Sequence, residues 1–309
     1  MEKNSLDDLF EFAEETESVY DKKKVLLIDG HNLAYRTVFS AVNQMPGDNE
    51  KFLFWKHLMV KSLFALVKKF EATSVVLAFD DYRSFGKKWR KEIYPDYKFK
   101  RKDARDKSIV NFEKFFKVFN TFIDELQETF ENMYVMMVEG CEADDIIAVL
   151  SKEVYTDREV VIISSDGDMT QLTQYSNVSQ FDPIKQKMLK PLNPIRDLEI
   201  KILMGDKSDN IPGIKPKCGK VTAEKIIVNG TLEDLLKDPI IKENYLRNLK
   251  LINLNYIPED IKKDVKNSHE NYPVKSINKN TIIEFFVGNN MLKLMDDWQN
   301  DSKYIKALE

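Results

Sequence analysis

Asp29, Asp80, Glu142, Asp144, Asp145, Asp166, Asp168, Asp206 and Asp209 stand at the ends of apolar runs or beside glycine-marked turns. Carboxylates gathered in one place repel and raise one another's pKa, so such a set is costly unless cations neutralise it. Oxygen donors with no histidine or cysteine among them favour Mg2+ or Mn2+ over zinc. His31, His57 and His269 are scattered, and Cys141 and Cys218 lack CxxC spacing, so neither a zinc site nor a disulfide framework is expected. Two hard divalent ions about 4 Å apart can stabilise both the attacking and the leaving oxygen of an in-line displacement at phosphorus. The chemistry suggested is phosphodiester hydrolysis. A single aspartate in the first turn of a helix is ordinarily a cap, but capping does not account for the whole set.

The acids need elements that bring them together. Continuous apolar runs at residues 24–30, 74–80, 134–139 and 160–166 have the texture of strands buried on both faces, and three of the four carry an aspartate, Asp29, Asp80 or Asp166, at or next to their end. Helical patterns lie between them, at residues 52–70, 109–130 and 143–154. This alternation predicts an α/β fold with a mostly parallel central sheet and helices on both faces. In open sheets of that kind ligands sit outside the carboxyl ends of the strands, where these aspartates would gather. Beyond about residue 191 the β-branched runs thin out and a smaller helical lobe is expected. The division reads as an acidic flexible tail over 1–20, a catalytic domain over 21–190 and a helical lobe over 191–309. No motif within residues 238–309 suggests a chemistry.

A chain of 309 residues, 43% hydrophobic and 32% charged, can bury one large or two modest cores, which excludes a disordered or fibrous class. No apolar run approaches the roughly 18 residues that span a bilayer, and the acidic N-terminus has neither a basic start nor an apolar h-region, so no membrane association and a cytoplasmic location are expected. The formal net charge of −4 speaks at face value against a nucleic-acid partner. Its distribution reverses that. Residues 1–17 hold seven acids against one lysine, which leaves the rest of the chain at +2. Residues 83–107 carry eleven Lys or Arg against four acids, interleaved with Phe85, Trp89, Tyr94, Tyr97 and Phe99. A solvated helix face can have the same composition, but phosphates and stacked bases would both find partners there.

The series Leu27-Ile28-Asp29-Gly30, Ala78-Phe79-Asp80, Glu142-Ala143-Asp144-Asp145, Ser165-Asp166-Gly167-Asp168 and Gly205-Asp206-Lys207-Ser208-Asp209-Asn210-Ile211-Pro212-Gly213 resembles the 5′-nuclease (flap endonuclease) superfamily in order and spacing, over roughly residues 24–261. The resemblance implies a metal-dependent 5′ to 3′ exonuclease and flap endonuclease that removes RNA primers and 5′ flaps in lagging-strand replication, using two Mg2+ ions for which Mn2+ substitutes. It assigns Asp29, Asp80, Glu142, Asp144 and Asp166 to one ion and Asp168, Asp206 and Asp209 to the other. Asp145 either joins them or caps the helix. Asp81 is left out, because adjacent side chains at a strand end diverge.

Arg90 and the stretch Tyr94-Pro95-Asp96-Tyr97-Lys98-Phe99-Lys100-Arg101 resemble the family's helical arch, here about 83–107. That likeness implies that Lys98 and Arg101 reach the scissile phosphate, while Arg90, Lys87 and Lys88 attract the nucleic-acid backbone. Residues 210–214 with Gly219, Thr222 and Ala223 resemble the start of a helix-hairpin-helix-like module, but one extra residue alters the hairpin. Anchoring of a duplex through a monovalent cation is therefore left open, and Lys215, Lys217 and Lys220 are the candidates for direct phosphate contact. Residues 5–12, with Leu6, Leu9 and Phe10, resemble peptides that dock replication proteins on a sliding clamp. A single-strand-binding protein as partner of the C-terminal lobe, and a monomeric state, are further expectations. Two other readings have distinct signatures. A junction-binding module that does not cut would show gaps in the acid set, and a phosphatase of the haloacid-dehalogenase type would want Asp-x-Asp where this chain has Asp29-Gly30-His31.

Overall fold

The computed structural model describes residues 23–81, 88–99, 109–273 and 278–300. Leu6, Leu9, Phe10, Lys87 and Arg101 lie outside the described residues. The first apolar run forms β1 (Lys24–Asp29), whose four central residues are wholly buried. Around it stand β2 (Ser74–Ala78), β3 (Met133–Met136), β4 (Glu159–Ile163), β5 (Val178–Asp182) and β6 (Lys187–Leu189). They form one sheet in the order β3-β2-β1-β4-β5-β6, parallel throughout except where β6 runs antiparallel to β5. Strand order reverses between β1 and β4, and that switch point opens a crevice at the carboxyl ends of both strands. β5 and β6 extend the sheet beyond the four strands read from apolar runs. β5 carries Ser179 and Gln180 amid its apolar residues, and β6 is three half-exposed or exposed residues, so neither has an uninterrupted apolar signal.

Alternate residues of β1 serve opposite faces, as strand pleating requires. On one face Leu26 and Ile28 pack with Leu33 and Val38 of α1 (Gly30–Gln44), with Trp55 and Leu63 of α2 (Asp48–Phe70), and with an aromatic ridge on a helix that follows the short α3 (Trp89–Ile93). That ridge is Phe115, Phe119 and Phe122 of α4 (Phe112–Thr129), spaced for one helical stripe. On the other face Val25 and Leu27 meet Ile146 and Ile147 of α5 (Ala143–Val149), which continues as a single π-helical stretch, Leu150–Val154. A 3-10 segment (Gly167–Gln174) follows β4.

After β6 the chain is helical: α6 (Pro194–Met204), α7 (Lys220–Val228), α8 (Leu232–Leu235) and α9 (Pro239–Ile252) build two small cores, one of them shared with Tyr97. The remainder returns to the sheet. Leu254, Ile257, Ile261 and Val265, the last two on α10 (Glu259–Glu270), join the core of the α5 face. Phe285 and Phe286 of α11 (Lys279–Gly288), with Leu294 and Trp298 of α12 (Leu292–Asn300), join the core of the α4 face. Among the described residues no helix is long and apolar enough to cross a membrane.

Candidate metal centre

Asp29 ends β1 and caps α1, accepting a hydrogen bond from the Asn32 N–H at 2.9 Å and from Ser164 Oγ at 3.3 Å. The cap requires a close turn, and Gly30 supplies it: a Cβ there would lie 2.2 Å from the Phe79 ring. Asp80 follows β2 and accepts from the Ala143 N–H at 2.9 Å, which ties it to the first turn of α5. Its own N–H donates to His31 Nδ1 at 3.1 Å. The His31 ring is stacked on Phe119, so this histidine positions Asp80 from within the aromatic core. Asp81 turns the other way and accepts from the Gly140 N–H at 3.0 Å.

Glu142 caps α5 and is 1% exposed, yet it is surrounded by cations. Lys98 Nζ lies 2.7 Å from Oε2, Lys88 Nζ 3.2 Å from Oε1, and Arg90 Nη1 3.3 Å from Oε2. The Tyr97 hydroxyl is 2.8 Å from the same Oε2 and 3.2 Å from Asp209 Oδ2, which links the two groups of acids. Lys98 reaches this position from a left-handed backbone, φ 56°, with its N–H bonded to the Asp209 carbonyl at 2.9 Å. Asn210 Nδ2 donates to the Asp96 carbonyl, a second stitch between the two loops.

Three residues of the expected set occupy other places. Asp145, fully buried, takes a bidentate pair from Arg90 at 2.8 and 2.9 Å, a bond from Trp89 Nε1 and the Glu142 N–H. Its oxygens are thus committed to Arg90, Trp89 and the helix cap. Arg90, expected against the nucleic-acid backbone, is 3% exposed and also donates to the Leu251 carbonyl. That expectation is corrected: buried acids from α5 draw the guanidinium inward. Lys88, expected to attract backbone phosphate from the surface, instead faces Glu142 and Asp80, the latter at 3.8 Å. Of the lysines expected on the duplex, exposed Lys217 and half-buried Lys215 lie in the loop between α6 and α7, and Lys220, also exposed, opens α7.

The second group forms where β4 and α6 end. Asp166 caps the 3-10 segment, accepting from the Asp168 N–H. Asp206 sits in a turn closed by the Asp206–Ile211 bridge. Gly205 makes that turn possible, at φ 74° and with Ile211 O 2.4 Å from where a Cβ would be. Asp168, Asp206 and Asp209 offer oxygens that all lie within 4.8 Å of one another. Lys201 of α6 bonds both Asp168 and, at 2.7 Å, Asp206. No motif pointed to Lys201 or His31, which come to the centre through the packing of α6 and α1, and Tyr97 was read only as part of the arch pattern, with no role at the acids.

Electrostatics divide the acids. Burial, then repulsion from Asp80 and Asp166, lifts the Asp29 carboxyl to about 7. Burial raises Asp144 well above the usual range, against the pull of Lys98. Where ammonium groups are close the balance reverses: burial opposes ionisation of Glu142, yet Lys98, Arg90 and Lys88 hold it far below the ordinary value. Asp206, also opposed by burial, is held near 2 by bonds from Lys201 and Ser208. Burial likewise works against charge on Lys98 and Lys201, but the facing carboxylates keep both firmly protonated. Asp29 and Asp144 therefore hold their protons more tightly than ordinary carboxyls until a cation offsets the cost of ionising them. An all-oxygen donor set suits Mg2+ or Mn2+, so the residues present fit divalent ions.

An open α/β sheet carrying acids from several strand ends, with lysines among them, defines the class of metal-dependent enzymes that act on phosphate esters. The chain belongs to the 5′-3′ exonuclease family, whose N-terminal resolvase-like domain model matches residues 24–197. It is a nuclease, hence a hydrolase. It is 31% identical over 294 residues to the ribonuclease H of Enterobacteria phage T4, covering 88% of this chain and 94% of that protein. It is 32% identical over 251 residues to DNA polymerase I of Streptococcus pneumoniae, covering 73% of this chain but spanning only 27% of the polymerase. Among solved structures, a DNA and metal-ion complex of the bacteriophage T5 flap endonuclease shares the fold, with a TM-score of 0.62 and 22% identity over 80% of this chain and 98% of that one. The T5 5′-exonuclease with bound zinc gives 0.61 and 22%, over 81% of this chain and 100% of that one.

Proposed function

We propose that this nuclease removes RNA primers and 5′ flaps during lagging-strand DNA replication, by hydrolysis that depends on two Mg2+ ions, with Mn2+ able to replace them. The observation that carries the proposal is the convergence of acids from β1, β2, β4, α5 and the 205–209 turn on one sheet edge, with Lys88 and Lys98 among them. Asp29, Asp80, Asp144 and Asp166 would hold one ion and Asp168, Asp206 and Asp209 the other. Glu142 and Asp145, already engaged by cations, set the lysines and Arg90 in place. Bound divalent ions supply Lewis acidity toward water and the scissile phosphate.

The protein's own groups do the rest. Lys98 and Lys88 present preorganised positive charge where a phosphate entering the acid cluster develops negative charge. Tyr97 fixes Glu142 relative to Asp209 and so keeps the two groups of acids in register. Lys215, Lys217 and Lys220 would contact duplex phosphates, and Arg101 would act with Lys98 at the scissile phosphate, as the resemblance implies. Support for a 5′ end as substrate comes from the T5 5′-exonuclease and the DNA-bound T5 flap endonuclease, support for RNA from the phage T4 ribonuclease H, and support for a part in replication from the DNA polymerase I named above. We further propose that residues 5–12 tether the chain to a sliding clamp through Leu6, Leu9 and Phe10, that the C-terminal region engages a single-strand-binding protein, and that the protein works as a monomer in the cytoplasm.

The test is product mapping on a 5′-labelled flap and on an RNA-primed duplex, with Mg2+ and with excess chelator. Short 5′ products that need the metal are expected. Cleavage undiminished in chelator, or products released from the 3′ end, would overturn the proposal.

A further inference from the structure

Lys201 lies at the heart of the second group of acids, although the proposed hydrolysis gives it no part. Of the two Asp206 oxygens, Oδ1 is occupied by the N–H and hydroxyl of Ser208 at 2.7 and 2.6 Å, which leaves Oδ2 to the Lys201 ammonium. The same ammonium holds Asp168 Oδ1. A divalent cation drawn to Asp168, Asp206 and Asp209 therefore meets a competitor already in place. The ammonium also has somewhere to go. Its side chain is 27% exposed and borders a cleft of about 210 Å3 between the 3-10 segment and α6, whose lining includes Asp197. Asp197 stands four residues before Lys201 on α6, the spacing at which an acid and a lysine pair along one helix face.

We infer that Lys201 is the built-in counter-ion of the metal-free centre, seated between Asp168 and Asp206 and displaced toward Asp197 when a divalent cation loads. The inference rests on the reading that these acids bind metal. Loading is then an exchange of one cation for another, which spares the metal-free protein from leaving half-buried carboxylates unpaired. No bond is made or broken. Asp197 sets the ease of the exchange, because it stabilises the position to which the ammonium moves.

The experiment is calorimetric titration of the full chain with Mg2+ alone, together with melting in chelator, for the parent, Lys201→Met, Asp197→Asn and the double variant. Lys201→Met should melt about 2 to 4 °C lower without metal and bind Mg2+ on the order of tenfold more tightly. Asp197→Asn should weaken Mg2+ binding in the parent and have no effect in the Lys201→Met background, the non-additivity expected of coupled residues. If Lys201→Met does not fold without metal, Lys201→Gln, which keeps a donor but no charge, carries the same comparison. Mg2+ binding no tighter in the lysine variants, or an Asp197→Asn effect equal in both backgrounds, overturns the inference and leaves the metal reading intact. Absence of Mg2+ binding in every variant and the parent overturns both.

Discussion

Asp29 and Glu142 are both buried carboxyls at the edge of one sheet, yet their protons are held in opposite ways, and the difference is the distance to a lysine. Glu142 has three cationic neighbours and stays ionised, whereas Asp29 has Asp80 and Asp166 and is lifted to about 7. In the metal-free protein Asp29 therefore binds its proton more tightly when folded than when unfolded, where its pKa is about 4. The stability that this proton contributes is present at low pH and lost as pH rises from about 4 to about 7. Melting in chelator should show this fall in the parent and a flatter profile in Asp29→Asn, and parallel profiles would refute it. Mg2+ affinity should weaken as pH drops below about 7, since the metal must displace that proton. Lys98→Ala should lower single-turnover cleavage by about 100- to 1000-fold with a smaller change in DNA affinity. Lys88→Ala should behave likewise, because its ammonium faces Asp80 and Glu142. By contrast Lys217→Ala, at the exposed loop, should weaken binding and reduce its salt dependence. A Lys88→Ala enzyme that resembled Lys217→Ala would return Lys88 to the surface role its place in a basic run suggested.

The elements explain why that basic run was only partly legible. Eleven cations in twenty-five residues announce a phosphate-binding surface, but linear order does not reveal that α3 packs over the first turn of α5, some fifty residues further on, and sends Arg90 into it. The acids were legible for the opposite reason: they follow strands, open helices or sit in a glycine-marked turn, so local pattern and global position coincide. β5 and β6 escaped because polar side chains interrupt them, and their place at the sheet edge is set by pairing with β4 rather than by apolar continuity. Arg90→Met should cost about 3 to 5 kcal/mol in denaturant unfolding, since it leaves Asp145 buried without its partner. Arg90→Lys should not restore it, because an ammonium cannot reproduce the planar two-point contact. Normal stability with weakened DNA binding would show that Arg90 serves the nucleic acid after all.

At the scale of the whole molecule, the chain after β6 builds more than the loop that carries Asp206 and Asp209. Residues from α10 to α12 close both faces of the sheet, and Phe286 is fully buried against Phe64 and Phe130. Phe286→Ala should destabilise the fold by about 3 to 5 kcal/mol, measured by denaturant unfolding, and a near-silent substitution would mean that α11 is dispensable to the core. The sequence of this region shows helical patterns without motifs, because its work is packing, and packing partners lie more than a hundred residues away. The two groups of acids, one from the sheet and one from the helical part, form a single centre only when both are assembled. The central claim is that this joint centre binds divalent metal in order to cut nucleic acid. Its most direct test is single-turnover cleavage of a 5′-labelled flap in Mg2+ by Asp144→Asn and by Asp206→Asn, one substitution from each group, alongside DNA binding. Both variants should bind the flap with near-parental affinity and lose cleavage by at least about 100-fold; parental cleavage rates in either variant would contradict the account.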